Sequence, residues 1–399
     1  MKVFIAGMDG YLGWALSVYL GSRGHEISGV DAFLRRKWVA EDGKSHSISP
    51  IASMPERLRA FQETFGRPAL FREGNLCDFD FTRSVLAEVK PDVIVHFGEQ
   101  PSAPFSMIDH EHCLLTHNNN LNGTLNMLYA MTESCPSAHL IKLGTMGEYG
   151  TPNIDIPEGF FTIEYNGRKD TLPFPKQAGS WYHQTKVHDT HNIAFACKIW
   201  GLRSTDLMQG VVYGTRLEEM GSDNRLLTRF DMDSLFGTAV NRFCAEAVIG
   251  HPLTPYGAGG QTRSFINIRD SMRCIELMIE NPPAAREYRV YNQFTEVVSV
   301  VQLAEKVKVA AEKHGLDPRV ESIKNPRIEA EEHYYNPDNS KFLALGLDPL
   351  HIDEALPDML ADLIRWKDRI ESKKSCLLPQ VKWREATLEG VSHASGQTA

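Results

Sequence analysis

No run of roughly 18 consecutive apolar residues occurs in the chain, so no membrane-spanning helix is expected. Positive charge is also in short supply. Lys and Arg number 42 against 51 Asp and Glu, for a formal net charge of −9 and an isoelectric point near 5.9. A surface of that sign repels a phosphate backbone, which argues against nucleic acid and leaves a small molecule as the default partner. Cysteine is sparse, odd in number and scattered: Cys77, Cys113, Cys135, Cys197, Cys244, Cys274 and Cys376, with no C-x-x-C pair. This supplies neither a disulfide frame nor a zinc site, so no metal is expected and a reducing compartment is. That compartment is the cytoplasm or, for a processed chain, an organelle interior. The first strand begins at Lys2, so no signal or transit peptide is expected before it. What is present, 399 residues of which 42% are apolar, suffices for one large α/β unit and a smaller appended part.

The segment Lys2–Ala6 reads as a buried parallel strand, followed by Gly7-Met8-Asp9-Gly10-Tyr11-Leu12-Gly13 and an apolar-periodic helix from Trp14 to Leu20. Strand, glycine turn and helix form a dinucleotide-binding unit. Gly7 permits the tight turn, Gly10 lets the backbone approach a pyrophosphate, and Gly13 lets helix pack on strand. Tyr11 and Leu12 complete the expected cofactor cradle. A second strand, Glu26 to Val30, ends at Asp31, where an acid accepts hydrogen bonds from ribose hydroxyls and repels a 2′-phosphate. The expected cofactor is therefore NAD, although Arg35 and Arg36 nearby could instead hold that phosphate.

Residues 35–70 read as an insertion of irregular polar segments around one helix, Pro55 to Phe65. After a strand at Leu70 to Glu73, Asn75 and Leu76 are candidates for contact with the adenine, while Asp78 suits either that role or a helix N-cap. The strand Asp92 to Phe97 delivers the loop Gly98 to Ser106 to the carboxyl edge of the sheet, where Gln100 and Ser102 become candidate pocket residues. Asn120, inside a long helix from Glu111 to Glu133, suits either a relay behind the active site or simple exposure. The strand His139 to Leu143 leads to Thr145. Asn166-Gly167 between alternating apolar runs signals a hairpin within residues 151–176, expected as a flap or a docking edge. Beyond the helix Trp181 to Trp200 and a strand at Ser204 to Leu207, helices are expected near Phe236 to Ile249, Val300 to His314 and His351 to Lys373, with a strand at Tyr288 to Asn292. The expected division is a cofactor domain over 1–210, a substrate part over 211–382, and a disordered tail over 383–399.

The chemistry centres on Thr145, Tyr182 and Lys186. Helix positions four apart share a face, so Tyr182 and Lys186 can aim at one spot. An ammonium and an oxidised nicotinamide both favour phenolate over phenol, which makes Tyr182 a base and leaves Thr145 to hold the same substrate hydroxyl. With the glycine turn and Asp31, this set resembles the extended short-chain dehydrogenase/reductases that modify nucleotide sugars. The resemblance covers the chain to about Lys382 and implies a Rossmann-type doubly wound parallel sheet with a smaller mixed α/β part.

The strings at 96–100 (HFGEQ), 142–150 (KLGTMGEYG), 292–296 (NQFTE) and 329–336 (EAEEHYYN) resemble those members that join sulfite to the sugar of UDP-glucose with NAD. Related dehydratases carry T-D-E-x-Y-G after the strand. Here Met146 and Gly147 replace the two acids, which leaves Glu148 and His183 as candidate acid and base. The resemblance places Arg263 and Arg327 on the UDP diphosphate, with Gln209 near the diphosphate or sugar, and implies a homodimer. A protein that donates sulfite is a further possible partner. Alternatives are a UDP-glucose 4-epimerase or 4,6-dehydratase, a non-catalytic NAD-binding sensor, and an interaction module built on the hairpin.

Overall fold

The computed structural model describes residues 1–42, 47–379 and 381–383. Its first half alternates strand and helix: β1 (Lys2–Ala6), α1 (Tyr11–Ser22), β2 (Glu26–Asp31), α2 (Leu34–Asp42), α3 (Met54–Phe65), β3 (Leu70–Glu73), α4 (Phe79–Val89), β4 (Val93–His96), α5 (Ala103–Ser106) and α6 (His110–Ser134). Then come β5 (His139–Thr145), the hairpin of β6 (Phe160–Tyr165) and β7 (Arg168–Pro173), α7 (Trp181–Trp200), β8 (Arg203–Gln209) and β9 (Val211–Tyr213). The remainder holds α8 (Ala239–Val248), β10 (Thr262–Asn267), α9 (Ile268–Glu280), β11 (Tyr288–Gln293), β12 (Glu296–Ser299), α10 (Val300–Glu312), α11 (Ser340–Ala344), α12 (Ile352–Ile364) and α13 (Lys367–Ser372).

The seven-stranded sheet runs β3-β2-β1-β4-β5-β8-β11, and all its pairs are parallel. Helices cover both faces, which is why β4 is buried along its whole length and reads as an apolar run. The connection reverses between β1 and β4, so a crevice opens at their carboxyl ends, the usual ligand position of such sheets. The register puts Ala6 beside His96, His96 beside Lys142 and Thr145 beside Gln209, which aligns the loops that follow along one edge. A second sheet, β12-β10-β9, packs with α8, α10 and α12 around its own core of Phe243, Phe265, Leu303 and Leu356.

Several boundaries differ from the sequence reading. Helix α1 starts at Tyr11 rather than Trp14, with Gly10 extended at its N-cap. Residues 34–42 are helical rather than irregular, and α3 is started by a capping box between Ser53 and Glu56 and stopped by Gly66 in the left-handed conformation. Asp78 is an N-cap, accepting from Phe81 N at 3.1 Å. The division at residue 210 is not a single crossing, because α9 packs against α1 and β11 pairs with β8 along six residues. Asn166 and Gly167 both have positive φ (50° and 71°), as a tight hairpin turn requires. Residues 384–399 of the expected tail lie outside the described residues.

Candidate active site

The glycine turn admits backbone only. Gly7 has φ +84°, and a Cβ there would lie 2.9 Å from the Phe97 carbonyl oxygen; one on Gly13 would lie 2.0 Å from Gly7 O. The space left at the N-terminus of α1 suits a pyrophosphate, so these residues fit a dinucleotide. The carboxyl of Asp31 accepts from Asp9 N (2.9 Å) and Phe33 N (2.7 Å); burial, and then the charge of Asp9, push it up to about 6. The two arginines left open by the sequence are both engaged. Arg36 forks onto Asp9 at 2.6 and 2.8 Å, while Arg35 pairs with Asp231 at 3.1 Å and lies over the Phe236 ring. Neither awaits a 2′-phosphate. Tyr11 Oη donates to Gly214 O at 2.7 Å, and Asn75 accepts from Cys77 N at 2.9 Å, so both side chains brace the crevice walls. Leu76 is buried, with its Cδ1 2.7 Å from where a Cβ on Gly98 would lie.

Gln100 and Asn120 are fully buried. Asn120 accepts from Gln100 N (2.8 Å) and donates to Thr185 Oγ1 (3.0 Å), which ties the loop after β4 to α6 and α7. The Gln100 amide donates to Ser102 O and Thr116 Oγ1, and its oxygen takes Ser102 N. The side chain expected to meet substrate therefore holds its own loop, and exposure of Asn120 is excluded. Gln209 is likewise engaged, donating to Ser271 Oγ and Gln293 Oε1.

Thr145 caps the short 3₁₀ turn Met146–Glu148, where its hydroxyl oxygen accepts from Gly147 N at 3.2 Å and its own proton stays free to donate. Ser180 caps α7, and Tyr182 N donates to Ser106 Oγ at 3.0 Å. The Tyr182 phenol is held well above its usual range by burial, and then by the charges of Glu99 and Glu148. Lys186 Nζ lies 5.8 Å from the Tyr182 ring centroid, donates to Leu143 O at 2.6 Å and pairs with Glu99 Oε2 at 2.7 Å. The ring of His183 hydrogen-bonds Ser180 Oγ through Nδ1 at 3.0 Å, and its Nε2 fills the space over Gly147, 2.4 Å from where a Cβ would be. Burial, then Arg327 and Arg263, lower His183 to about 4, so it is neutral at pH 7.

Glu148 is placed differently from its expected role as acid or base. It is fully buried, with Lys176 Nζ at 2.6 Å and Lys142 Nζ at 3.3 Å, and it accepts from Thr145 N. Burial raises it, but Lys142 and Lys176 outweigh that and hold it down at about 2. Lys142 also donates to Lys186 O and Thr190 Oγ1 and lies 3.5 Å from Asp206. The sequence reading missed Glu99, Lys142, Lys176 and Asp206. The visible signal was a lysine inside the apolar strand β5, which cannot be buried without a carboxylate partner.

Arg263 and Arg327 come from β10 and the segment after α10. Arg263 pairs with Glu329, and the guanidinium of Arg327 lies 5.8 Å from the Trp383 ring centroid. Both arginines act electrostatically on His183, lowering it. Among the described residues no cluster of His, Cys, Asp or Glu gathers as for a metal, and no helix is long and apolar enough to cross a membrane.

Residues 3–292 match the NAD dependent epimerase/dehydratase family. A chloroplastic UDP-sulfoquinovose synthase of Spinacia oleracea is 50% identical over 385 residues, which is 96% of this chain and 79% of the relative. The UDP-sulfoquinovose synthase of Sulfolobus acidocaldarius is 46% identical, covering 96% and 98%. Among solved structures, the UDP-glucose 4-epimerases of Thermotoga maritima (with UDP-glucose) and Bifidobacterium longum (with NAD+ and UDP) each superpose with a TM-score of 0.67 at 19% identity. They cover 92% of this chain and 99% and 98% of their own, and they share its fold.

Proposed function

The chain belongs to the NAD dependent epimerase/dehydratase family, and from that premise we propose that it is a UDP-sulfoquinovose synthase, converting UDP-glucose and sulfite to UDP-sulfoquinovose and water. Its cofactor is NAD. The observation that carries the reading is the exchange at position 147. Where related dehydratases hold a carboxylate, glycine makes room for the neutral imidazole of His183.

Bound NAD supplies the hydride acceptor for C4 of the sugar and the same hydride for its return; Asp31 and the Gly7–Gly13 turn hold it. Tyr182 takes the proton of the 4-hydroxyl, which Thr145 Oγ1 positions. A ketone at C4 makes the C5 hydrogen acidic. With Nδ1 on Ser180, Nε2 of His183 takes that proton and hands it to the 6-hydroxyl, which leaves as water. Hydrogen sulfite then adds to C6 of the enone, its proton passing through His183 to C5, and Tyr182 reprotonates the 4-oxygen as C4 is reduced. Glu148, ionised and locked between two lysines, positions the Thr145 turn rather than moving protons. Arg263 and Arg327 bind the diphosphate, for which planar guanidinium forks are suited; Glu329 gives way to it.

The protein works as a homodimer joined through α6 and α7, where Tyr129, Phe195 and Ile199 are 51%, 60% and 50% exposed. Seven cysteines, five of them buried and none in a disulfide, fit a reducing compartment, the cytoplasm or an organelle interior. The deciding assay gives the NAD-loaded protein UDP-glucose with and without sulfite. A sulfonated nucleotide sugar formed only with sulfite, seen by mass, supports the reading, and free sulfite sufficing removes the need for a donor protein. UDP-galactose or a 4-keto-6-deoxy sugar in the presence of sulfite overturns it.

A further inference from the structure

Lys186 has two partners in this structure. One is the carbonyl of Leu143 at 2.6 Å, and the other is Glu99, whose carboxylate meets it at 2.7 Å with side-chain exposure of 2%. Glu99 lies in the loop after β4, three residues beyond His96. Among the described residues, one other basic side chain comes within ion-pair distance of Glu99. His96 Nε2 is 3.9 Å away, donates to or accepts from Thr124 Oγ1, and is lowered to about 4 by burial, so it is neutral. Asp189, one turn beyond Lys186 on α7, is fully buried and its carboxyl is pushed well up, by burial and then by the charge of Glu99. Lys142 belongs to Glu148 and Asp206. The groups around the Tyr182 phenol are therefore Lys186, His183 and Asp189 from α7, Glu99 from the loop after β4, and Lys142 and Glu148 from β5 and its turn.

A positive charge compensated at 2.7 Å has little field left a few ångströms away. We propose that Glu99 is a positioning residue that holds the Lys186 ammonium and cancels its charge, so that Tyr182 keeps its proton until the cofactor's cationic ring enters the crevice. The resting site then carries no reactive phenolate, and ionisation of the base is tied to the presence of the hydride acceptor. The inference deepens the proposed function, since it uses Tyr182 as the base at the 4-hydroxyl.

The test is an ultraviolet difference titration of phenolate in the NAD-loaded protein, comparing the wild type and Glu99→Gln, each against its own Tyr182→Phe counterpart. With the carboxylate removed, Tyr182 is expected to ionise at a pH lower by about one unit, and Glu99→Asp to restore most of the wild-type midpoint. An unchanged or higher midpoint in Glu99→Gln overturns the proposal. Should that variant not fold, Glu99→Asp, with the charge drawn back by one methylene, is expected to shift in the same direction by less, and no shift overturns it. A shifted midpoint with no sulfonated product would sink the proposed function and leave this inference standing. A sulfonated product with an unmoved midpoint does the reverse.

Discussion

A methyl group on Gly147 would lie 2.4 Å from His183 Nε2, 2.6 Å from its Cδ2 and 2.9 Å from its Cε1. Backbone and imidazole cannot both stay in place. Gly147→Ala is therefore expected to cut kcat by roughly 10–100-fold through displacement of the ring, with little change in NAD affinity, since the glycine turn is remote from it. Steady-state rates beside an NAD titration check this; an unaltered kcat would mean that the ring takes no part. The sequence displayed both halves of this arrangement separately, as two missing acids after Thr145 and a histidine beside Tyr182. Their contact was not legible, because it depends on how α7 lies against the turn after β5. Gln100 and Gln209 show the converse: polar residues at the right edge of the sheet, whose amides are taken up by their own loops.

The elements β5, α7 and β8 meet around a buried ion network, in which Lys142, Lys176 and Glu148 are joined by Thr190 and Asp206. Removing one partner from such a set leaves a buried charge uncompensated, a loss of about 3 kcal/mol. Glu148→Gln is expected to lower the melting temperature at neutral pH accordingly. The pH dependence has a definite sign. The folded-state value of Glu148 is about 2, below its ordinary 4.5, so its stabilisation is present above about pH 4.5 and is lost as pH falls toward 2. Calorimetry should show the wild type losing its advantage over Glu148→Gln across that window; a constant gap would contradict the assigned pairing. The strand and helix order of this region was readable from periodicity. Helix α2 was not, because Arg35, Arg36 and Lys37 mask its pattern and its place is set by ion pairs to Asp231 and Asp9. Helix α9 was legible as an amphipathic run between the Asn267 cap and Pro282-Pro283, and the sequence reading passed over it.

At the scale of the molecule, the doubly wound sheet and its crevice were legible from the glycine turn and the apolar strands, whereas the return of β11 to the sheet was not, since parallel pairing across a long excursion leaves no local mark. If α6 and α7 form the proposed dimer seam, Tyr129→Glu together with Phe195→Glu is expected to give a monomer in sedimentation where the wild type gives a dimer, while a wild-type monomer would refute that surface. The proposed function rests on one account, in which hydrogen leaves C4 of the sugar, is kept in the site while sulfite adds at C6, and returns to C4. UDP-glucose deuterated at C4, turned over with sulfite and followed by nuclear magnetic resonance, tests this most directly. The account predicts a sulfonated product with the label still on C4; deuterium found at C6, or lost to solvent, would contradict it.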